Sequence, residues 1–153
     1  MTTDDRETFL VALQQAQKGF YFDAIENFQA VLQNSPTSPL ADDATFNIGV
    51  CYMKVKQFAK AVEAFEKVLS EYPEGVIESE LPGNEYGRTA AKALLGLVET
   101  SLLLNDRDKA EQYCTSLRPY SDSFILRSDS GQKVLFYQIA RSMIDGIDTN
   151  KRR

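Results

Sequence analysis

The chain contains an internal repeat, and this repeat restricts the fold more than any other feature of the sequence. Residues 19–32 match residues 56–69 when the chain is shifted by 37 positions (56 minus 19), and the same shift places Pro36 on Pro73. Upstream, it also places Phe9 on the aromatic residue at position 46, so that the unit contains two helical segments. A unit of two helices that recurs along a chain predicts an α-solenoid, in which each unit buries its apolar face against the next.

A weaker third copy follows after a longer spacing. Ala110 takes the place of Ala61, 49 residues further on (110 minus 61). The extra length indicates an insertion at residues 74–88, which carries three residues that interrupt any helical pattern: Pro82, Gly83 and Gly87. We expect the charges of this insertion, on Glu78, Glu80, Glu85 and Arg88, to be solvated, although a long ordered loop often has a function.

Prolines and capping residues mark the helix boundaries. Ser38-Pro39 is a good helix entry, and Pro36, Pro73 and Pro119 each end a preceding helix. The predicted helices are 4–18, 21–34, 39–54, 58–72, 88–104, 107–118 and 131–145. We therefore predict an all-α fold, a right-handed α-solenoid of three helix-turn-helix repeats with a C-terminal capping helix. It is expected to form a single domain over residues 1–153, with repeats at about 4–36, 39–73 and 88–120 and the cap at 131–145.

The second copy resembles the tetratricopeptide repeat most closely. It has Ile48-Gly49, Tyr52, Phe58, Ala61, Phe65, Val68 and Pro73 at the positions that define this family. The first copy lacks the tyrosine and has Gln15 there, and the third copy keeps few of the family residues. The resemblance implies a protein-interaction domain in which small residues let helices approach closely and large ones fill the gap between repeats. The linker at residues 35–44 is also similar to that of bacterial envelope-assembly repeat proteins such as the Tol-Pal coordinator.

The composition excludes several classes of function. The net charge of −5 and the pI near 4.8 argue against binding to nucleic acid, which needs clustered basic residues. The chain has no histidine and therefore lacks the usual general base and the commonest metal ligand. No apolar run is long enough to span a membrane, and the first residues are acidic. We expect a cytoplasmic protein, periplasmic only if a leader has been removed, with no enzymatic activity, no catalytic or metal site and no cofactor.

A concave groove is where we expect function, because stacked repeats curve so that the first helix of each pair lines the inner face. The predicted groove is largely apolar, and seven positions on the first helices of repeats one and two form it: Phe9, Leu13, Gln17, Phe46, Asn47, Val50 and Lys54. Such a groove suits an apolar peptide or an amphipathic helix of a partner protein. One subclass of the family instead clamps a C-terminal carboxylate. Asn47 and Lys92 match two of its residues, but Leu10, Leu13 and Gly96 depart from it, so we do not expect a clamp.

These observations leave two functions open. The first is an adaptor or scaffold module that binds a protein or peptide, and the second is a cytosolic chaperone that holds apolar segments of a secreted or assembling client. The apolar segment at residues 134–144 is expected to cap the third repeat, with occupation of the groove and homodimerisation as alternatives.

Overall fold

A computed structural model describes residues 3–78 and 83–151 of the chain. Within these residues there are seven helices: α1 Thr3–Gln17, α2 Tyr21–Asn34, α3 Ala41–Lys54, α4 Phe58–Glu71, α5 Thr89–Leu103, α6 Arg107–Ser116 and α7 Phe136–Lys151. The same residues form three short strands: β1 Glu85–Tyr86, β2 Phe124–Leu126 and β3 Lys133–Leu135. The predicted all-α repeat fold is confirmed, with a small sheet added to it. No helix in the described part of the chain has the length and apolar character that a membrane span needs.

The turn inside each helix pair has the same backbone conformation in all three repeats. One residue adopts a left-handed conformation at each turn: Gly19 (φ 85°), Lys56 (φ 62°) and Asn105 (φ 57°). The N–H of the next residue then donates to a carbonyl oxygen five positions back in each turn: Phe20 to Gln15 (2.9 Å), Gln57 to Tyr52 (2.9 Å) and Asp106 to Ser101 (2.8 Å). This arrangement satisfies the free carbonyls at a helix end and turns the chain sharply. The same turn thus occurs at the equivalent position of each of the three repeats found in the sequence.

The first helices of successive pairs lie side by side. Helix α1 contacts α3 and α3 contacts α5, while α2 packs between α1 and α3, and α4 packs between α3 and α5. The helices α1, α3 and α5 thus form one continuous face of the solenoid. We call this surface the first-helix face. It is the face on which the sequence places the groove.

Close packing of small and large residues holds the repeats together. Phe65 on α4 is fully buried between Gly49 on α3 and Gly96 on α5. A Cβ atom added to Gly49 or Gly96 would lie 2.6 Å or 2.7 Å from the Phe65 ring, so neither position has room for a side chain. In the first repeat, Phe28 meets Phe9 edge to face with ring centroids 5.3 Å apart. The predicted pairing of small with large side chains is therefore confirmed at Phe65.

The predicted helix at 131–145 is wrong at its start. Residues Lys133–Leu135 form β3, which pairs antiparallel with β2, and α7 begins only at Phe136. Gly131 (φ 67°) lies in the turn between the two strands, where its left-handed conformation favours a hairpin. The apolar Val134 and Leu135 are therefore strand residues, although the composition of the segment gave no sign of it. Helix α7 then packs on α5 and α6.

The start of α3 also differs from the prediction, which placed it at residue 39. The helix begins at Ala41, and Ser38 forms a turn before it, in which the hydroxyl oxygen accepts a hydrogen bond from the Leu40 N–H (3.2 Å). Leu40 is fully buried against the core of the first repeat. The two extra turn residues place Asp42 and Asp43 in the first turn of α3.

Candidate functional site

A cavity of 160 Å³ lies between the first-helix face and the insertion at 74–88. Its lining comes from α1, α3 and α5 and from the described parts of the insertion: Phe9, Leu13, Asp43, Asn47, Ile77, Glu78, Gly83, Glu85, Tyr86 and Lys92. The helix residues all lie in the N-terminal halves of α3 and α5 or the middle of α1. The insertion thus lies across one end of the first-helix face.

Two buried aspartates attach the insertion to α3. The Asp43 carboxylate accepts a hydrogen bond from the Glu78 N–H (3.3 Å), and the Asp42 carboxylate accepts one from the Thr89 hydroxyl (2.6 Å). Gly75 passes directly over Asp42, where an added Cβ would overlap the carboxylate. The Thr89 N–H also donates to the Gly75 carbonyl oxygen (3.2 Å). The beginning of the insertion is therefore fixed to α3 and to the start of α5.

Burial perturbs both aspartates. Asp43 is 2% exposed, and burial together with the neighbouring Asp42 charge raises its pKa to about 7. Burial also raises the pKa of Asp42, although the Thr89 hydrogen bond opposes the change. The positive charge of Lys92 favours the ionised carboxylates and therefore opposes the rise in the pKa of both aspartates. The lining of the cavity is therefore acidic, and Lys92 provides a positive charge within it.

Lys92 joins the insertion to the groove. Its ammonium lies 2.5 Å from a carboxylate oxygen of Glu85, and its side chain is only 10% exposed. The same ammonium lies 4.4 Å from the centroid of the Phe46 ring, a favourable cation–π distance. A carboxylate of the insertion therefore already neutralises the lysine.

The end of the insertion is tied to the C-terminal hairpin. Strand β1 pairs with β2, and the Tyr86 ring stacks on Phe124 with centroids 5.4 Å apart. The Asn84 side chain donates to the Leu126 carbonyl oxygen (2.8 Å), and the Arg88 N–H donates to the Ser123 hydroxyl (2.9 Å). These contacts hold the insertion at both ends, so its described residues form a fixed wall of the cavity.

The structure places the seven predicted groove residues in three different environments. Phe9, Leu13 and Asn47 line the cavity, although Phe9 is 0% exposed and forms only its base. Phe46 and Val50 are half-buried against the core, with the Phe46 ring centroid 5.6 Å from that of Phe65. Gln17 and Lys54 are exposed near the C-terminal ends of α1 and α3. Three of the seven residues therefore line the cavity, and the binding of a peptide by the whole set stays a prediction.

Two charges of the insertion are partly exposed and also form ion pairs. Glu85 pairs with Lys92, and Arg88 pairs with Glu74 (2.6 Å) and with Asp122 (3.6 Å). Glu80 and Pro82 lie outside the described residues. The sequence also did not single out Asp43, Ile77 or Tyr86 as cavity residues. Only the length of the insertion pointed to Ile77 and Tyr86, because ordered loops of this length often carry function, and nothing pointed to Asp43.

Comparison with known proteins supports the repeat and the fold. The sequence model of the tetratricopeptide repeat matches residues 43–74. Solved structures share the fold over almost the whole chain: the Sgt2 tetratricopeptide-repeat domain from Aspergillus fumigatus has a TM-score of 0.60 at 15% identity, and the alignment covers 99% of this chain and 84% of that one. The chain therefore contains a tetratricopeptide repeat at residues 43–74 and shares the fold of tetratricopeptide-repeat domains. The Tol-Pal likeness of its linker stays a prediction.

Other tetratricopeptide-repeat structures are similar as well. The Hsp90 co-chaperone Cns1 from Saccharomyces cerevisiae has a TM-score of 0.66 at 13% identity, covering 97% of this chain and 40% of that one. The tetratricopeptide-repeat domain of P58(IPK) has a TM-score of 0.63 at 14% identity, covering 98% and 35%. In sequence, 57 residues are 37% identical to a chloroplastic protein from Arabidopsis thaliana, a stretch that is 37% of this chain and 17% of that protein.

Proposed function

We propose that the chain is a non-enzymatic protein-interaction module, an adaptor or scaffold, whose first-helix face binds an apolar peptide or an amphipathic helix of a partner protein. The observation that carries the proposal is the half-buried apolar surface beside the cavity. Leu13 and Val50 lie on neighbouring helices of this face, and each keeps part of its side chain accessible. Apolar side chains spaced along a groove are how helical and extended segments are recognised.

The chemistry of the chain supports a binding role over catalysis. The sequence contains no histidine, and both cysteines are buried. Burial raises the pKa of the Cys51 thiol to about 11 and also raises the pKa of Cys114, which disfavours the reactive thiolate at neutral pH. The Asp43 and Glu85 carboxylates contact the Glu78 N–H and Lys92 and so hold the insertion in place. Their positions are explained by this structural role without a catalytic one.

Two further features support a protein as the partner. The net charge of −5 opposes binding to nucleic acid. One structurally similar protein is described as an Hsp90 co-chaperone, which is consistent with a protein partner. We propose that the chain acts in the cytoplasm, where its reduced cysteines are stable.

The experiment that tests this function compares two valine variants of matched burial. Val50 lies on α3 in the first-helix face, and Val62 lies on α4, which packs between α3 and α5; both are half-buried against the same core. Wild type, Val50→Arg and Val62→Arg are immobilised after circular dichroism shows equal helicity, and proteins captured from a native lysate are quantified by mass spectrometry. The segment of the partner that binds is then titrated against all three chains.

We expect Val50→Arg to lose the partner by at least about tenfold in affinity, because a desolvated charge would lie against an apolar segment. Val62→Arg should bind as wild type does. If the Val62 variant loses the partner and the Val50 variant keeps it, the proposed surface is wrong.

A chaperone that holds apolar client segments is the second candidate function. It is favoured by large apolar side chains that are exposed at the helix turns, Phe20 and Phe22 in the first repeat and Leu103 and Leu104 in the third. A chaperone would bind many unrelated unfolded segments and suppress their aggregation, whereas an adaptor would select one sequence. Light scattering of an aggregating client with added wild-type chain therefore separates the two functions.

A further inference from the structure

In the first and third helix pairs, large apolar side chains project from the turn. More than half of each residue is exposed: Phe20 (56%), Phe22 (60%), Leu103 (52%) and Leu104 (51%). The aromatic residue that packs in the first repeat is Tyr21, which is half-buried against its core. The core of the repeat therefore does not account for the two phenylalanines that flank it.

The second repeat shows that the fold does not require large apolar residues at these places. The 37-residue shift puts Gln57 and Ala59 at the positions of the two phenylalanines, and the 49-residue shift puts Lys54 at the position of Leu103. The turn keeps the same left-handed residue in all three repeats. Large apolar side chains that the fold does not need, and that lie in pairs on the surface, indicate a contact outside the chain.

The three turns lie along one edge of the solenoid. Each turn reverses the chain between the two helices of a pair, and the linker to the next pair reverses it again, because consecutive helices pack on one another from α1 to α6. The helices α1, α3 and α5 therefore run in the same direction, and the turns that follow them lie together. We call the residues of these turns, 17–23, 54–60 and 103–109, the turn edge.

The turn edge is basic, although the chain as a whole is acidic. It contains six lysine or arginine residues and three aspartates, a net charge of +3 against −5 for the whole chain. Lys18, Lys54 and Lys56 are exposed and form no ion pair with any described residue. In the third turn, Asp106 caps α6 by accepting a hydrogen bond from the Lys109 N–H (3.1 Å). The lysines of the second turn thus lie between the two apolar pairs.

We propose that the turn edge binds the surface of an anionic lipid bilayer, with its phenylalanines and leucines in the headgroup region and its lysines against the lipid phosphates. Stable attachment to a membrane surface needs two signals, and apolar side chains beside a basic cluster provide both. A peptide would instead be held in a groove or pocket. The four apolar side chains line neither the 160 Å³ cavity nor the groove between α2, α3 and α4, and a fluid bilayer adapts to projecting side chains without a pocket.

Co-sedimentation of the full chain with phospholipid vesicles tests the proposal. Vesicles of phosphatidylcholine that contain about 30% phosphatidylserine are compared with vesicles of phosphatidylcholine alone. We expect the chain to bind the anionic vesicles at least about tenfold more tightly, because each lysine near an anionic surface adds to the attraction. High salt should weaken this binding.

The apolar contact is tested by Phe20→Ser combined with Phe22→Ser. This variant should bind anionic vesicles at least about tenfold more weakly, because two rings no longer leave water. The matched control changes two exposed valines outside the turn edge, Val11→Ser with Val76→Ser, and should bind as wild type does. Circular dichroism first establishes that the variants are equally helical. If the phenylalanine variant does not fold, the corresponding double serine variant of the leucine pair replaces it.

The charge of the turn edge is tested by Lys18→Gln, Lys54→Gln and Lys56→Gln in one chain, which should lose the preference for anionic vesicles. A control with the same change of net charge carries glutamine at three exposed basic positions outside the turn edge: Lys67, Arg118 and Lys133. This control should keep the preference.

The proposal is overturned if wild type binds neither kind of vesicle or both equally, or if either control loses as much affinity as the variant it matches. It is also overturned if vesicles are not bound and the phenylalanine variant fails to suppress the aggregation of a client, because the edge would then hold unfolded segments. The proposal goes beyond the proposed function and does not depend on it, since the Val50→Arg and Val62→Arg comparison tests the first-helix face separately.

Discussion

The two halves of α3 are held against their neighbours by different physical means. The C-terminal half packs through Gly49 against the buried Phe65 ring, which also touches Gly96 of α5. The N-terminal half holds the insertion through the buried carboxylates of Asp42 and Asp43. The first contact depends on shape and on the exclusion of water, and the second depends on charge and hydrogen bonds. The two should therefore respond differently to truncation, to added volume and to pH.

Truncating Phe65 is expected to have the largest effect. Phe65→Ala removes a fully buried ring between three helices and should lower the free energy of unfolding by about 3–5 kcal/mol. Phe22→Ala is the matched control, because Phe22 is 60% exposed, and its change should stay within about 0.5 kcal/mol. Urea unfolding followed by circular dichroism measures both. Equal losses for the two variants would show that the Phe65 contact does not hold the repeats together.

Adding volume at the same contact should have the next largest effect. The Cβ of Gly96→Ala would lie 2.7 Å from the Phe65 ring, so the variant should lose about 1–3 kcal/mol of stability. In a Phe65→Leu background, Gly96→Ala should cost less stability than it does in the wild type, because the smaller leucine side chain leaves room for the added methyl group. Strict additivity of the two changes in unfolding experiments would argue against direct steric conflict.

The carboxylate contact should instead depend on pH. The pKa of Asp43 is raised from 3.8 in the unfolded chain to about 7 by burial, so the ionised form is disfavoured in the folded protein. This group therefore adds stability at low pH that is lost as the pH rises through about 7. Asp43→Asn cannot ionise and keeps an acceptor for the Glu78 N–H. At pH 8 it should be more stable than wild type by at least about 1 kcal/mol, and the difference should shrink toward pH 4.

Thermal unfolding of both chains across this pH range measures the difference, and Asp4→Asn, at an exposed position in the first turn of α1, is the control. Parallel pH profiles for wild type and Asp43→Asn would contradict a raised pKa for the buried Asp43.

Breaking the Glu85–Lys92 pair should have the smallest effect. Glu85→Gln removes the charge of a carboxylate that is 39% exposed, and we expect a loss below about 1 kcal/mol that decreases further in high salt. The insertion keeps its other contacts, so the amide shifts of β2 should hardly change. A large loss of stability, or a loss of the β1–β2 pairing, would mean that this ion pair alone holds the insertion.

The sequence predicted the Phe65 contact but not the carboxylate contact, and the reason is physical. Repeated small and large residues recur at fixed spacing because each helix pair solves the same packing problem. Gly49, Ala61 and Phe65 could therefore be assigned before the structure was known. The Asp43–Glu78 and Asp42–Thr89 contacts join residues 35 and 47 positions apart, and they occur once in the chain, so no periodicity marks them.

The C-terminal hairpin was missed for a related reason. Val134 and Leu135 are apolar enough for a helix, and only pairing with β2 makes them a strand. Their partners lie in a segment that the repeat pattern does not describe. Likewise, Leu13 and Asn47 were placed on the groove from the repeat, but the wall opposite them comes from the insertion.

Hydrogen–deuterium exchange of the chain with and without a captured partner segment tests the central claim, that the first-helix face is the interaction surface, most directly. Slower exchange is predicted in α1 and α3 around Leu13, Asn47 and Val50 and in the insertion around Tyr86, with α2 and α4 unchanged. Slower exchange confined to α2 and α4 would contradict the claim and would place the interaction on the opposite side of the solenoid.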